Sequence, residues 1–386
     1  SFLTPADYAG HVEHLAWRND QDLCLVAAEG CASVMTIQDA SDPARRTRVE
    51  LPQELILGAF SLDRAGSRLA VLGQSADHPV EAFTLGGDQG LRRLTITNPA
   101  LSQYRLARQE VRSFRARDGL EVGGVLIWPL DYESGTKYPL ILVVHGGPEA
   151  RDANGWQTSY SRPGQVAAAR GFFVFHINYR GSTGRGVAYS QLDQGRMGRE
   201  EFDDLVDGVE SLVSTGLVSV RLVGIAGGSY GGYASAWAAT TLTEHFAASV
   251  MFVGISEQIS KVLTTDIPDE SFHSHWNKRL WDDWQDFLEA SPIYHLKNAK
   301  TPILIAHGKD DPRVPVAQSR ELYQALKIRG GVPVRLVLYP GEGHGNRRRA
   351  SQLDYGLRQM RWFEHFLLRG EKDLPPSDIE YQAANQ

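Results

Sequence analysis

The stretch GIAGGSYGGYA, residues 224–234, sets five glycines around one serine, Ser229. An apolar run, RLVGIA (221–226), comes just before the serine, and a helical pattern over 230–242 comes just after. Gly227 to Gly231 therefore read as G-x-S-x-G set between a strand and a helix. Such a turn lifts a serine hydroxyl above the end of a sheet, in a strained backbone conformation. Small residues are needed two positions either side, because strand and helix backbones crowd there. Two other glycine-rich devices fail on detail. A phosphate loop needs G-x-x-x-x-G-K-[ST], and no lysine follows here. A dinucleotide fingerprint opens the first βαβ unit, whereas this turn falls late in the series.

A serine hydroxyl is a weak nucleophile at neutral pH. It needs a base within hydrogen-bond reach, and the base needs an acid to orient it. On sheets of this kind the three come in the order Ser, Asp, His, from loops after successive strands. PILIAHGKDDPRVP places Asp310 and Asp311 past one strand, and VRLVLYPGEGHGN places His344 past the next. Taken singly, an aspartate pair in a loop is turn chemistry and a loop histidine is surface. Falling after successive strands in the required order, they read as a triad with Ser229. The reaction also needs donors aimed at the developing oxyanion. LILVVHGGPEA carries HGGP (145–148) after an early strand, the loop type whose backbone N–H joins the amide of the residue after the nucleophile. The expected donors are the amides of Gly147 and Tyr230.

Outward from these loops, LILVV (140–144), FFVFHIN (172–178), ASVMFV (248–253), PILIAHG (302–308) and VRLVLYP (334–340) are short apolar runs like RLVGIA. They alternate with helical patterns near 199–214, 230–242, 316–329 and 351–369. The pattern predicts an α/β fold, a doubly wound sheet with helices on both faces. VRSFRARDGLEVGGVLIWP reads as a hairpin about Asp118-Gly119 that opens this part of the chain. The polar, aromatic insertion at 256–300 is expected over the C-terminal edge of the sheet, where such folds place their sites. Trp276, Trp281, Trp284 and Phe252 are candidate pocket walls, although lid or core packing is the commoner use of such residues. His273 and His275 read as lid or pocket packing. The tail after Gly370 reads as a surface extension.

The first hundred residues differ. LCLVAAEG with CASVMTIQ, and RLAVLGQ with PVEAFTL, read as two hairpins. LAWRNDQDLCLVAAEG resembles GAFSLDRAGSRLAVLG, and Trp17 and Phe60 stand about 40–50 residues apart, the period of β-propeller blades. Two such units cannot close a propeller, which needs about four. The expected division is 1–98 for incomplete propeller-like blades, 99–110 for a linker and 111–386 for the catalytic domain.

A net charge of −6 over 386 residues argues against nucleic acid as a partner. Arg347, Arg348 and Arg349 read as a local solvated face. No apolar run is long enough to span a bilayer, and SFLTPADYAG lacks the regions of a signal peptide. It also lacks a Met, so position 1 reads as a processing or cloning boundary. Cys24 and Cys31 flank a hairpin turn at Glu29-Gly30 in a register that keeps them from facing each other, so they read as buried thiols. That suits a reducing compartment, and the expected location is cytoplasmic. The chain has 12 histidines but no HExxH, CxxC or similar spacing, so no metal or other cofactor is expected.

Together HGGP, NYRGSTGRG (178–186), GGSYGGY (227–233), HGKDDPRVP (307–315) and GEGHG (341–345) resemble the prolyl oligopeptidase family of serine peptidases. The resemblance implies an α/β-hydrolase domain capped by an N-terminal β-propeller, with the earlier blades missing from this chain. It implies Ser229 as nucleophile, His344 as base and, from the spacing of D-x-R-V-P, Asp311 rather than Asp310 as acid. Arg313 matches a position that in some members binds a substrate carbonyl. Relatives of prolyl oligopeptidase itself and of dipeptidyl peptidase IV use a Tyr side chain as an oxyanion donor. Here the loop carries His145-Gly146-Gly147, as in the acylaminoacyl-peptidase-like branch, which implies a backbone donor. Gly228, where dipeptidyl peptidase IV-like members carry Trp, points the same way. The acidic residues that hold a free substrate N-terminus in dipeptidyl peptidases belong to the propeller, so exopeptidase type stays open.

The expected function is a serine peptidase acting on short peptides through an acyl-enzyme. The alternatives are a carboxylesterase on the same fold and a non-catalytic interaction protein. The N-terminal β region and Arg313 favour the peptidase. The residue preference at the cleavage site and homo-oligomer formation are left open.

Overall fold

The computed structural model describes residues 4–5, 7–51, 54–86 and 90–379. Among the described residues, eight strands form the N-terminal region: β1 (His11–Trp17), β2 (Asp22–Glu29), β3 (Ala32–Asp39), β4 (Arg46–Arg48), β5 (Ile56–Leu62), β6 (Arg68–Ser75), β7 (His78–Gly86) and β8 (Arg92–Arg93). They make two antiparallel sheets of four strands, each running in sequence order. Trp17 closes β1 and Phe60 lies in β5, so the repeat in the sequence is a repeat of each sheet's first strand. Both expected hairpins are present, as β2–β3 and β6–β7. In β6 alternation buries Leu69 and Val71 and exposes Arg68, Ala70 and Leu72. The buried members meet Cys24, Val26 and Met35 of the first sheet, and this shared core holds the two sheets together. Cys24 lies opposite Ile37, and both cysteines are free and buried.

Eight further strands build one sheet: β9 (Gln109–Arg115), β10 (Glu121–Ile127), β11 (Tyr138–Val144), β12 (Phe173–Asn178), β13 (Val218–Gly228), β14 (Ala248–Phe252), β15 (Ile303–Gly308) and β16 (Val334–Tyr339). Their order is β16-β15-β14-β13-β11-β12-β10-β9. The hairpin β9–β10 is antiparallel to its neighbour β12, and β11 to β16 are parallel. This is the expected doubly wound α/β sheet. Helices Glu200–Ser214 and Tyr230–Thr240 cover one face, sharing a core with Val223 and Ile225 of β13. Helix Arg349–Phe363 covers the other, where Ala226 of β13 is buried. Gly224 belongs to that second face because a Cβ there would come within 2.6 Å of the Phe363 ring.

Several boundaries differ from expectation. β13 begins at Val218, before the apolar run, and continues through Gly228. The last helix stops at Phe363 and passes into a π-helical turn, Glu364–Leu368. The insertion holds helices Gln258–Thr264 and Trp284–Glu289 and a π-helical turn, Ser271–Trp276. It is stapled to the loop after β15, where the Asp266 amide donates to Pro312 O (3.1 Å) and Thr265 Oγ1 to Arg313 O (2.8 Å). Trp276 is core rather than pocket wall, stacked 3.7 Å from Phe287. Phe252 is likewise buried, against Tyr160 and Tyr355. Trp281 and Trp284 are exposed. The β region meets the large sheet through the β2–β3 turn: the Gly30 amide donates to Gly184 O (2.6 Å), and the Asn154 amide to Cys31 O (2.7 Å). Among the described residues no helix is long and apolar enough to cross a membrane.

Candidate active site

Ser229 stands between β13 and helix Tyr230–Thr240 at φ 60° and ψ −119°, a conformation that L-residues avoid. Its neighbours show why the turn is glycine-rich. A Cβ on Gly231 would lie 1.9 Å from Val144 O, and one on Gly227 would lie 2.4 Å from Gly231 O. Gly228 is different, since a Cβ there meets nothing closer than a Phe252 ring carbon at 3.5 Å. The Ser229 amide donates to Phe252 O at the end of β14 (3.0 Å). The next residue, Val253, is also at positive φ, 43°, which is costly for a β-branched side chain. Strain is thus stored at the ends of two adjacent strands.

The HGGP loop lies against this turn. A Cβ on Gly146 would be 3.0 Å from Gly228 O and 3.1 Å from Ser229 Cβ, tighter than side chains ordinarily pack, so glycine eases the loop's approach. Gly147 has φ 123°. His145 is buried, stacked on Tyr179 (4.6 Å between centroids), with Nε2 2.9 Å from Ser182 Oγ. Burial pulls its imidazole below the usual range, so this ring braces the loop as a neutral group. The NYRGSTGRG motif does the bracing. Arg180 grips Asp204 with two hydrogen bonds and Asp118 with a third. Tyr179 and Ser182 are thereby held under His145.

Tyr230 is the first residue of its helix, where an amide has no helical carbonyl to serve. Its side chain points elsewhere. It is fully buried, and its hydroxyl donates to Glu201 Oε1 at 3.0 Å.

The loops after β15 and β16 bring Asp311 and His344 together, with His344 Nδ1 2.8 Å from Asp311 Oδ2. The other carboxylate oxygen accepts the amides of Arg313 (2.9 Å) and Val314 (3.1 Å). Burial would push this carboxyl up, but hydrogen bonds from His307, His344 and the Val314 amide bring it down to about 2. Asp310 does not share this pocket; it is exposed, and only its backbone is held, by Glu342 O. The Arg313 side chain is taken up by Asp266, with Nε donating to Oδ1 at 2.7 Å, and stays partly exposed. Arg347 and Arg348 are exposed, and their amides donate to Glu342. Of the insertion histidines, His275 is buried and His273 is not.

Two groups near the site escape sequence reasoning. His307, fully buried, reaches Asp311 Oδ2 at 3.1 Å. Asp193, also buried, has no hydrogen-bond partner on either oxygen among the described residues. The H-x-x-x-D spacing of His307 and Asp311 was the only signal for the first, and nothing marked the second.

The chain matches the model of the Prolyl oligopeptidase family over residues 158–369. It is 33% identical over 322 residues to dipeptidyl aminopeptidase BIII of Pseudoxanthomonas mexicana, covering 79% of this chain and 46% of that protein. It is 30% identical over 329 residues to the uncharacterized peptidase YuxL of Bacillus subtilis, covering 83% and 48%. It therefore spans about half the length of the curated relatives it matches. The acylaminoacyl peptidase of Pyrococcus horikoshii superposes with a TM-score of 0.82 at 26% identity, over 96% of this chain and 58% of that one. With the strained serine turn, the glycine loop against it and the paired Asp311 and His344 all falling in motifs of this kind, the chain belongs to the prolyl oligopeptidase family.

Proposed function

We propose that this chain carries the catalytic part of a serine peptidase that cleaves short peptides. The observation that carries the reading is the hydrogen bond between Asp311 Oδ2 and His344 Nδ1 at 2.8 Å, in a chain whose G-x-S-x-G serine is held at φ 60°. With Nδ1–H given to the carboxylate, the imidazole presents a basic Nε2. His344 takes the Ser229 proton as Oγ attacks the scissile carbonyl. Asp311, charged across the neutral range, stabilises the imidazolium that forms. The Gly147 and Tyr230 amides hold the oxyanion. His344 then protonates the leaving amine, and it activates the water that releases the acyl group from Ser229. Arg313, pre-set by Asp266, is the proposed contact for a substrate carbonyl. We assign residues 111–386 to the catalytic domain and 1–98 to propeller-like blades, joined by 99–110.

Labelling with a fluorophosphonate tests the reading directly. Covalent modification of Ser229 in the folded protein is expected, with loss of aminoacyl-p-nitroanilide hydrolysis in Ser229→Ala. An unmodified Ser229 sinks the assignment. Turnover of p-nitrophenyl esters without any amide turnover would make the enzyme an esterase.

A further inference from the structure

We propose that Lys261 forms the floor of a carboxylate-binding pocket beside Ser229. Resting on the peptidase reading, this makes the enzyme selective for Asp or Glu as the residue that supplies the scissile carbonyl.

The starting point is a cation out of place. Lys261, on helix Gln258–Thr264, is only 3% exposed. Among the described residues its Nζ makes one hydrogen bond, to Ser271 Oγ at 2.8 Å, and has no carboxylate at ion-pair distance. An ammonium has three donors, and burying one without an anion is expensive. Burial accordingly pulls Lys261 down to about 8; Glu270 and Asp266 oppose this through space, and Arg313 adds to it. Asp266 is already engaged by Arg313.

A second group tells the same story. His275 lies four residues beyond Ser271 on the same π-helical turn and is 6% exposed. Among the described residues, neither of its ring nitrogens has a hydrogen-bond partner. Two N–H groups on Lys261 and one on neutral His275 therefore lack acceptors, and a carboxylate supplies two oxygens.

The location is what ties these donors to catalysis. The helix carrying Lys261 is stapled to the Asp311 loop through Asp266 and Pro312 and through Thr265 and Arg313. The His275 ring is 6.3 Å from that of Tyr230, the residue after the nucleophile. Its Nε2 is 3.8 Å from Glu149, which follows HGGP directly. The unfilled donors are thus tied both to the residue that follows HGGP and to the Asp311 loop, the two loops that on the peptidase reading flank the scissile bond. Glu149 and Glu270 stand nearer solvent and by themselves would favour a basic residue. Charge interactions strengthen with burial, so the buried cation governs the choice.

The test is a series of N-acetyl-X-p-nitroanilides with X = Glu, Gln, Leu and Lys, run beside fluorophosphonate labelling of Ser229. The wild type is expected to show kcat/KM for Glu about 10- to 100-fold above that for its neutral isostere Gln. Lys261→Met is expected to bring that ratio close to one. Stronger inhibition of the wild type by N-acetyl-glutamate than by N-acetyl-glutamine keeps the test readable if the variant fails to fold. Labelled wild type with no Glu preference, or with a preference for Lys, overturns the pocket and leaves the peptidase reading standing. A Glu preference that survives Lys261→Met also overturns it. Failure of labelling removes the peptidase reading and the pocket together.

Discussion

His307 Nε2 lies 3.1 Å from Asp311 Oδ2, the same oxygen that His344 engages. The Val314 carbonyl is 2.8 Å from the same Nε2, and both neighbours are acceptors, so this nitrogen carries the proton. Ser319 Oγ, 2.6 Å from Nδ1, then donates. In the proposed mechanism His307 is a positioning residue: it fixes the carboxylate that orients His344, the proposed base.

Replacing His307 by Leu is expected to lower kcat about 10- to 100-fold, as removal of an orienting partner usually does. With one donor fewer, the carboxylate becomes a stronger partner for an imidazolium. The acid limb of the kcat/KM profile should therefore move to higher pH. His307→Gln, which keeps an N–H near the same place, should recover part of both effects. A Leu variant with reduced stability but an unshifted profile would show that His307 only packs.

Tyr230→Phe separates a backbone oxyanion donor from a side-chain one. The hydroxyl is buried on Glu201, so its removal should cost about 1–3 kcal/mol of stability by leaving that carboxylate short of a donor. The amide is untouched, and kcat should stay within about threefold. A loss of about 100- to 1000-fold would place the donor on the side chain instead.

The glycines of the turn should not be equivalent. Gly231→Ala drives a methyl into Val144 O, backbone that cannot yield, and should cost more than about 3 kcal/mol or block folding. Gly228→Ala makes ordinary contact with Phe252 and should cost less than about 1 kcal/mol. Equal urea midpoints for the two variants would contradict this.

Asp193 gives stability a pH dependence. Burial, helped by the charges of Glu201 and Glu149, pushes its carboxyl up to about 8. The unfolded group titrates near 4. The native state keeps a proton that the unfolded chain releases, so stability falls as pH rises between those values and levels off above them. Asp193→Asn removes this loss. The variant's Tm should gain on the wild type by a few degrees between pH 5 and pH 8. A constant difference across that range would refute the assignment.

The long parallel strands were legible because a strand covered on both faces must be apolar along its whole length, as LILVV is. The loops of Asp311 and His344 were legible through their order along the chain. The edge strands β4 and β8 were not, since Arg46–Arg48 and Arg92–Arg93 carry no apolar pattern and pair only because a neighbour is present. His307 sits inside β15 and reads as one more strand residue. Nothing in the local pattern marks Lys261 as buried, and its partner Ser271 reaches it only in the fold. The Tyr230 ring, expected only as the bearer of an amide, proves to be a buried prop on Glu201. Each of these depends on contacts between segments far apart in the chain, which local pattern does not encode.

The β2–β3 turn does more than join two strands. Its Cys31 Sγ lies 3.3 Å from Asn178 Nδ2 of β12, and burial pushes the thiol up to about 11. Cys24 lies instead in the core between the two small sheets. Alkylation rates at the two sulfurs therefore clock two different openings: Cys31 reacts when the β region parts from the large sheet, and Cys24 only when the β region itself comes apart. The wild-type sequence carries its own pair of probes for whether substrate entry begins at that seam.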